Sequence, residues 1–214
     1  MVEKSTPIYM PDTNCFRYSS YIIKKIEDGE VKNNEQALRS AYKQAANRFW
    51  NRIIEEAGNA CSEILISYEV EQELKIQSYT LDKKENKHIN RLLAIIEKEE
   101  TEIPIKLEYQ LRDFSNYARS KFGRLIVPQG RKMDYLRSSD ARIFIHTYLN
   151  DGILVTGNVK DFLLYTLFFG HEEEKLYDII THEFVKIPES GREKVVEDER
   201  FQALLTNMRK FKGQ

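Results

Sequence analysis

One segment of the chain, residues 138–162, alternates between the pattern of a helix and that of a buried strand. It begins with two serines, and residues 140–149 follow as an apolar, helix-like stretch with Asp140 in its first turn. After a glycine turn, Ile153–Thr156 is a short apolar run typical of a buried strand, and a polar loop containing Asp161 comes next. A helix followed at once by a buried strand is typical of α/β proteins.

The same two patterns alternate along the rest of the chain. Short strand-like runs lie at residues 8–10, 63–66 and 183–187, and residues 123–137 resemble a loop. In the long helix expected at 35–56, Tyr42 widens the apolar stripe, and Ser67 is a suitable N-cap for the next helix. This alternation predicts an α/β fold with a mainly parallel sheet. Helices are expected at residues 16–26, 35–56, 68–77, 87–100, 107–122, 140–149, 161–169 and 198–211, with a break near residues 29–34.

The composition is that of a folded, helix-rich protein. Of 214 residues, 41% are hydrophobic and 31% charged, with 9 glycines and 5 prolines, which argues against intrinsic disorder. The length suits one large domain or a core with a substantial insertion.

Charge, cysteine content and hydropathy predict a cytoplasmic protein without a membrane segment. The net charge is −1, so a nucleic-acid-binding surface would have to be a local patch. The two cysteines lack metal-type spacing and are compatible with reduced thiols. The longest nearly apolar run, residues 162–169, is too short to span a bilayer, and the N-terminus has no signal pattern.

Carboxylates stand at strand ends and helix starts in the predicted topology. Asp12 follows the first strand, Glu73 lies about two turns into the helix after the second, and Asp140 and Asp161 flank the strand Ile153–Thr156. In an open parallel sheet, the loops at the carboxyl ends of the strands form the ligand site. Mg²⁺ and Mn²⁺ prefer oxygen ligands, and two such ions can activate a water and stabilise a leaving oxygen. The sequence therefore predicts an acidic metal site.

Four short motifs together resemble the PIN-domain family. They are Ile-Tyr-Met-Pro-Asp-Thr-Asn at residues 8–14, Ile-Ser-Tyr-Glu-Val-Glu-Gln-Glu-Leu at 66–74, Ser-Ser-Asp-Ala-Arg-Ile at 138–143 and Val-Thr-Gly-Asn-Val-Lys-Asp-Phe at 155–162. Their order and approximate spacing resemble those of the toxin ribonucleases of bacterial toxin–antitoxin pairs, often called VapC-like. The resemblance covers roughly residues 7–15, 63–75 and 138–162.

This resemblance implies a fold and an architecture. The expected fold is a PIN-like three-layer α/β fold with additional helices, forming a single domain over residues 1–214. Helical insertions are expected at about residues 16–60 and 80–135, with a C-terminal extension after about residue 165.

The resemblance also implies an Mg²⁺- or Mn²⁺-dependent endoribonuclease. Asp12 and Asp140 would hold the principal ion, and Glu73 would complete or orient its ligand shell. Where the family commonly has a fourth acid, this chain has Asn158, so Asp161 would supply the missing charge. RNA is the implied substrate and an antitoxin protein the implied partner, while a homodimer stays open. The supporting polar residues are Asn14, Thr156 and Asn158.

A run of basic residues precedes Asp140, interleaved with aromatic residues. Lys and Arg can hold a phosphate backbone, and aromatic rings can stack on unpaired bases. A solvated charged loop explains the same run equally well. The run consists of Arg119, Lys121, Arg124, Arg131, Lys132 and Arg137 with Tyr117, Phe122 and Tyr135; the proposed RNA contacts are Arg124, Arg131, Lys132 and Arg137.

Each acid also has an ordinary explanation. Asp12 fits a turn residue, Asp140 fits the N-terminus of any helix, and Asp161 fits a helix cap. Glu73 is one of 34 acidic residues, and Glu69 and Glu71 compete with it for the same role. Two other functions therefore stay open: a PIN-like module that binds RNA or protein without cutting, and a nuclease that acts on DNA.

Overall fold

A mainly parallel sheet forms the centre of the structure, a computed structural model that describes residues 6–22 and 34–213. Within these residues the sheet has six strands in the order β3-β2-β1-β4-β5-β6. Neighbouring strands are parallel, except that β6 is antiparallel to β5. The predicted α/β class with a mainly parallel sheet is confirmed. The strands are β1 (Ile8–Pro11), β2 (Glu63–Ser67), β3 (Glu97–Glu99), β4 (Ile153–Thr156), β5 (Leu176–Asp178) and β6 (Glu183–Phe184).

Helices connect and cover these strands. In the described part of the chain, no helix is both long enough and apolar enough to cross a membrane. The helices are α1 (Thr13–Ser20), α2 (Asn34–Gly58), α3 (Tyr68–Ser78), α4 (Lys83–Leu93), α5 (Ile105–Ile126), α6 (Ser138–Leu149), α7 (Val159–Phe162), α8 (Glu189–Val196) and α9 (Glu199–Lys212), with a 3-10 helix at Leu163–Phe168.

Strand β4 lies at the centre of the sheet and is buried along its whole length. Its sequence Ile-Leu-Val-Thr combines apolar and β-branched side chains, which suit a strand covered on both faces. It pairs with β1 through Tyr9 and Ile153 and with β5 through Leu154 and Leu176. The loops after β1 and β4 therefore begin side by side.

Aromatic packing fixes the helices next to these two loops. The rings of Phe16 in α1 and Trp50 in α2 lie 4.9 Å apart, and the Trp50 indole N–H donates to the carbonyl oxygen of Cys15 at 3.0 Å. Phe144 in α6 packs edge-on against Tyr165 with ring centroids 4.9 Å apart. These contacts hold the first turns of α1 and α6 in place over the sheet.

Several predicted elements are wrong in extent or type. The helix predicted at 87–100 spans Lys83–Leu93, and Glu97–Glu99 instead form edge strand β3, where charged side chains can remain in water. The strand predicted at 183–187 is only Glu183–Phe184. The loop predicted at 123–137 starts later, because α5 continues to Ile126.

Other predictions are refined or fall outside the described residues. The helix predicted at 16–26 begins earlier, at Thr13, and ends at Ser20; residues 23–33, with most of the predicted break, lie outside the described residues. The helix predicted at 161–169 is α7 followed by the 3-10 helix. Helix α8 was not predicted.

Helix α8 packs very closely against α5 at Gly191. A Cβ atom at this position would lie 2.2 Å from the backbone carbonyl oxygen of Leu125. Because a backbone atom cannot move aside as a side chain can, the contact requires glycine.

Candidate functional site

The direction in which successive strands are added to the sheet reverses between β1 and β4. From β1 it adds β2 and β3 on one side, and from β4 it adds β5 on the other. At such a switch point the loops leaving the carboxyl ends of the two central strands diverge and leave a crevice, the usual ligand site of open α/β sheets. Asp12 follows β1 at this point, and Thr156 ends β4.

Asp12 is buried at the crevice, with 3% of its surface exposed. Its Oδ1 accepts from the backbone N–H of Cys15 at 3.1 Å, which makes Asp12 the N-cap of α1. Its Oδ2 accepts from the hydroxyl of Thr156 at 2.6 Å and the amide of Asn14 at 3.3 Å. Burial raises the pKa of Asp12, and these hydrogen bonds oppose that rise. The helix-cap role is therefore real but occupies only one carboxylate oxygen.

Glu73 reaches the same region from α3. The hydroxyl of Thr13, the residue after Asp12, donates to its Oε2. Its two competitors are engaged elsewhere: Glu69 pairs with Arg142 at 3.2 Å, and Glu71 pairs with two lysines. Among these three glutamates, the structure thus places Glu73 against the segment that carries Asp12.

Asp140 lies in the first turn of α6, where its Oδ2 accepts from the backbone N–H of Arg137 at 3.3 Å. Burial raises the pKa of Asp140 to about 7, and the negative charges of Asp161, Asp12 and Glu73 add to this rise. The four acids come from distant parts of the sequence. The charges of the other three acids all act on Asp140, so the fold brings the four side chains into one electrostatic neighbourhood.

Asn158 connects Asp161 to the end of β4 by two hydrogen bonds. The Asn158 side chain donates to Asp161 Oδ2, and the Asn158 backbone N–H donates to Thr156 Oγ1 at 2.8 Å. Burial raises the pKa of Asp161 to about 6, against the lowering effect of the Lys160 charge. Helix α7 begins at Val159, so Asp161 is not its N-cap, contrary to the ordinary explanation from sequence.

A further acid, Asp178, lies at the end of β5 and was not predicted from the sequence. It pairs in register with Thr156 and has 5% of its surface exposed. Arg131 donates to its Oδ2 at 2.9 Å, and the backbone N–H of Ile180 donates to its Oδ1 at 2.8 Å. A position at the carboxyl end of a strand would have marked Asp178, but strand β5 itself was not predicted.

The structure divides the predicted basic run between different surfaces. Tyr117, Lys121 and Phe122 line a cavity formed with Asp198 and neighbouring residues of α8 and α9. Arg124 is exposed in the last turn of α5, and Arg137 precedes α6. Only Arg131 and Lys132 of this run line a cavity of about 510 Å³ beside Asn158.

The acids fit a divalent cation by their chemistry. Within residues 6–22 and 34–213, no three side chains of the His, Cys, Asp or Glu types lie close enough together to bind one metal ion. Mg²⁺, however, is usually held by one or two carboxylates while waters complete its octahedron. Burial raises the pKa of Asp140, the negative charges of Asp161, Asp12 and Glu73 add to this rise, and a bound cation would offset these charges.

Comparison with protein-family models, with curated proteins and with solved structures found no match for this chain. The resemblance to PIN domains rests on the four motifs and stays a prediction.

Proposed function

We propose that this protein is an Mg²⁺- or Mn²⁺-dependent endoribonuclease with a PIN-like fold. One observation carries the proposal: at the switch point between β1 and β4, burial raises the pKa of Asp140, and the negative charges of Asp161, Asp12 and Glu73 add to this rise. Crowded carboxylates at the carboxyl edge of a parallel sheet suit a hard divalent cation bound to a phosphodiester.

Asp12 and Asp140 would hold the principal ion, and Glu73 would complete or orient its shell. A bound divalent cation supplies a more acidic water and stabilises negative charge on a phosphate oxygen. The hydroxyl of Thr156 fixes the Asp12 carboxylate, and the hydroxyl of Thr13 does the same for Glu73. These hydrogen bonds orient the acids before substrate arrives.

Asp161 and Asn158 would act at the position of a second metal ion and of the attacking water. The Asn158 amide holds the Asp161 carboxylate next to the end of β4. A raised pKa of about 6 allows Asp161 to exchange a proton near neutral pH. Asp161 would accept a proton from the attacking water, and Asn158 would orient that water.

The test is incubation of the purified protein with a mixed RNA pool and Mn²⁺. Cleavage should require the metal and should be lost with EDTA, in an Asp12→Ala/Asp140→Ala double variant and in Asp140→Asn. Asp113→Asn, which changes an exposed acid of α5, is the matched control and should cleave normally. Wild-type cleavage rates in a folded Asp140→Asn protein would remove Asp140 from the mechanism, and no cleavage by the wild type would overturn the proposal.

A binding module without catalysis is the second candidate. It is favoured by Asn158 at a position where the resembling family commonly has an acid. It is also favoured by the finding that, in the described part of the chain, no three possible ligand side chains lie close enough together to bind one metal ion. Such a protein would bind RNA equally well with and without Mn²⁺ and would leave it intact. DNA and RNA substrates of one sequence separate a ribonuclease from a DNA nuclease.

The proposed role extends to partners and location. A toxin-type ribonuclease acts on cytoplasmic RNA and is held inactive by an antitoxin protein. Purification under denaturing conditions followed by refolding would remove such an inhibitor, and activity that appears only after this step would indicate one.

A further inference from the structure

A cavity of about 510 Å³ lies next to the acidic crevice and is lined by groups that suit a nucleotide. We name it the tyrosine–lysine cavity after Tyr18, Tyr42, Arg131, Lys132 and Lys160 in its wall. Asn158, which holds Asp161, lies in the same wall. A ligand in the cavity would therefore be adjacent to the acids.

One wall of the cavity is aromatic. The rings of Tyr18 and Tyr42 are 4.8 Å apart and inclined by 33°, so they form a tilted stack. Gly157 allows this stack to approach the loop after β4, because a Cβ atom there would lie 2.3 Å from Cε2 of Tyr18. Tyrosine faces of this kind stack on unpaired nucleic-acid bases.

The rest of the cavity lining is mainly cationic. Arg131 is held by the buried carboxylate of Asp178. Lys160 pairs with Asp134 at 2.8 Å, but both side chains are about half exposed, and such surface pairs are easily exchanged for another anion. Lys132 is exposed and makes no ion pair with any described residue. The lining thus has an excess of positive charge, which favours an anion.

We propose that the tyrosine–lysine cavity binds one unpaired nucleotide of an RNA strand. Its base stacks on Tyr42, and its phosphate lies between Lys132 and Lys160. The volume falls within the range of about 300–1,000 Å³ typical of small-ligand sites. Bases in a duplex are already stacked and paired and cannot enter, so the cavity selects single-stranded RNA. This inference rests on the proposed function, because it places the nucleotide beside the acids that would cut the strand.

The test is direct binding of adenosine 5′-monophosphate, measured by calorimetry in EDTA so that no cleavage can occur. Tyr42→Leu should weaken binding about tenfold or more, while Tyr42→Phe, which keeps the ring, should bind like the wild type. Lys132→Gln should weaken binding several-fold, and Lys84→Gln on α4 is its matched control with unchanged binding. Adenosine alone and inorganic phosphate should each bind more weakly than the nucleotide.

A second binding experiment distinguishes a site for a free nucleotide from a site for a nucleotide within an RNA strand. A short single-stranded RNA should bind in EDTA with the same dependence on Tyr42 and Lys132, and its duplex should bind more weakly. Nucleotide binding that is absent in the wild type, or unchanged in both Tyr42→Leu and Lys132→Gln, would overturn the inference. Because Lys132 is exposed, its variant stays informative even where Tyr42→Leu fails to fold.

The outcome is distinguishable from that of the nuclease proposal. If nucleotide binding depends on Tyr42 but no RNA is cleaved, the cavity proposal is supported and the nuclease proposal is overturned. If RNA is cleaved but nucleotide binding does not depend on Tyr42 or Lys132, the cavity proposal is wrong and the nuclease proposal is unaffected.

Discussion

The hydroxyl of Thr156 donates to Oδ2 of Asp12 at 2.6 Å, although 144 positions separate the two residues in sequence. The bond joins the ends of the two central strands at the switch point of the sheet. It also fixes the rotamer of a buried carboxylate whose other oxygen caps α1. One hydroxyl therefore helps to hold both the fold and the candidate site.

Thr156→Val should destabilise the protein at neutral pH. The variant keeps the shape of the side chain but removes the donor, so the buried Asp12 carboxylate loses its shortest hydrogen bond. Hydrogen bonds to charged groups contribute about 1.5–3 kcal/mol, and we expect a loss of that order in urea unfolding. Thr156→Ser retains the hydroxyl and should lose less than Thr156→Val. Equal stability of the valine and serine variants would show that the hydroxyl is dispensable.

Asp140→Asn should change how stability depends on pH. The folded-state pKa of Asp140, about 7, lies above the ordinary value of 3.8 for an aspartate, so folding favours the protonated form. The stability of the wild type should therefore fall as pH rises from about 4 to about 7 and level off above that range. Asp140→Asn lacks this penalty, and in EDTA we expect it to exceed the wild type by on the order of 2 kcal/mol at pH 8, with little difference at pH 4. Identical pH profiles for the two proteins would contradict a raised pKa of Asp140 in the folded protein.

Mn²⁺ should stabilise the wild type at pH 8, because a cation that binds only the folded state shifts the unfolding equilibrium. At a concentration of about 100 times its Kd, the ion would contribute about 2.7 kcal/mol, measured as a rise in Tm. Asp12→Ala/Asp140→Ala should show no such rise, and Asp113→Asn should respond like the wild type. A rise of the same size in the double variant would place the ion elsewhere on the molecule.

Two glycine substitutions should have opposite effects. Gly191→Ala forces a Cβ atom against the backbone of Leu125 and should destabilise by more than about 2 kcal/mol. Gly123 lies inside α5, and a Cβ atom there meets nothing within 4 Å, so Gly123→Ala should stabilise by about 0.5–1 kcal/mol. Thermal unfolding of both variants measures the difference, and a neutral Gly191→Ala would mean that α8 can shift away from α5.

The parts of the fold predicted from sequence are those with strong local patterns. Ser67 does cap α3, and the apolar run at Ile153–Thr156 is a strand, because a cap and a fully buried strand are encoded by the adjacent residues themselves. Strands β3 and β5 have three residues each, and their conformation depends on the strands they pair with. Nothing in Glu97–Glu99 indicates a strand until β2 lies beside it.

The same distinction applies to the site. Asp12 and Asp140 could be found because each stands next to a recognisable strand or helix, whereas Asp178 could not be found without β5. Tyr42 fits the apolar stripe of α2 in the sequence, yet it is only half buried and faces the tyrosine–lysine cavity. A periodic pattern identifies a helix face, but it does not distinguish a face that packs in the core from one that lines a cavity.

The pairing of β1 with β4 also determines when the acids can meet during synthesis. Tyr9 is synthesised 144 residues before its partner Ile153. Until then, β1 lacks its central neighbour, and Asp140 and Asp161 are absent from the switch point. A site built on this topology therefore forms only after the segment that carries Asp140 and Asp161 has joined the segment that carries Asp12.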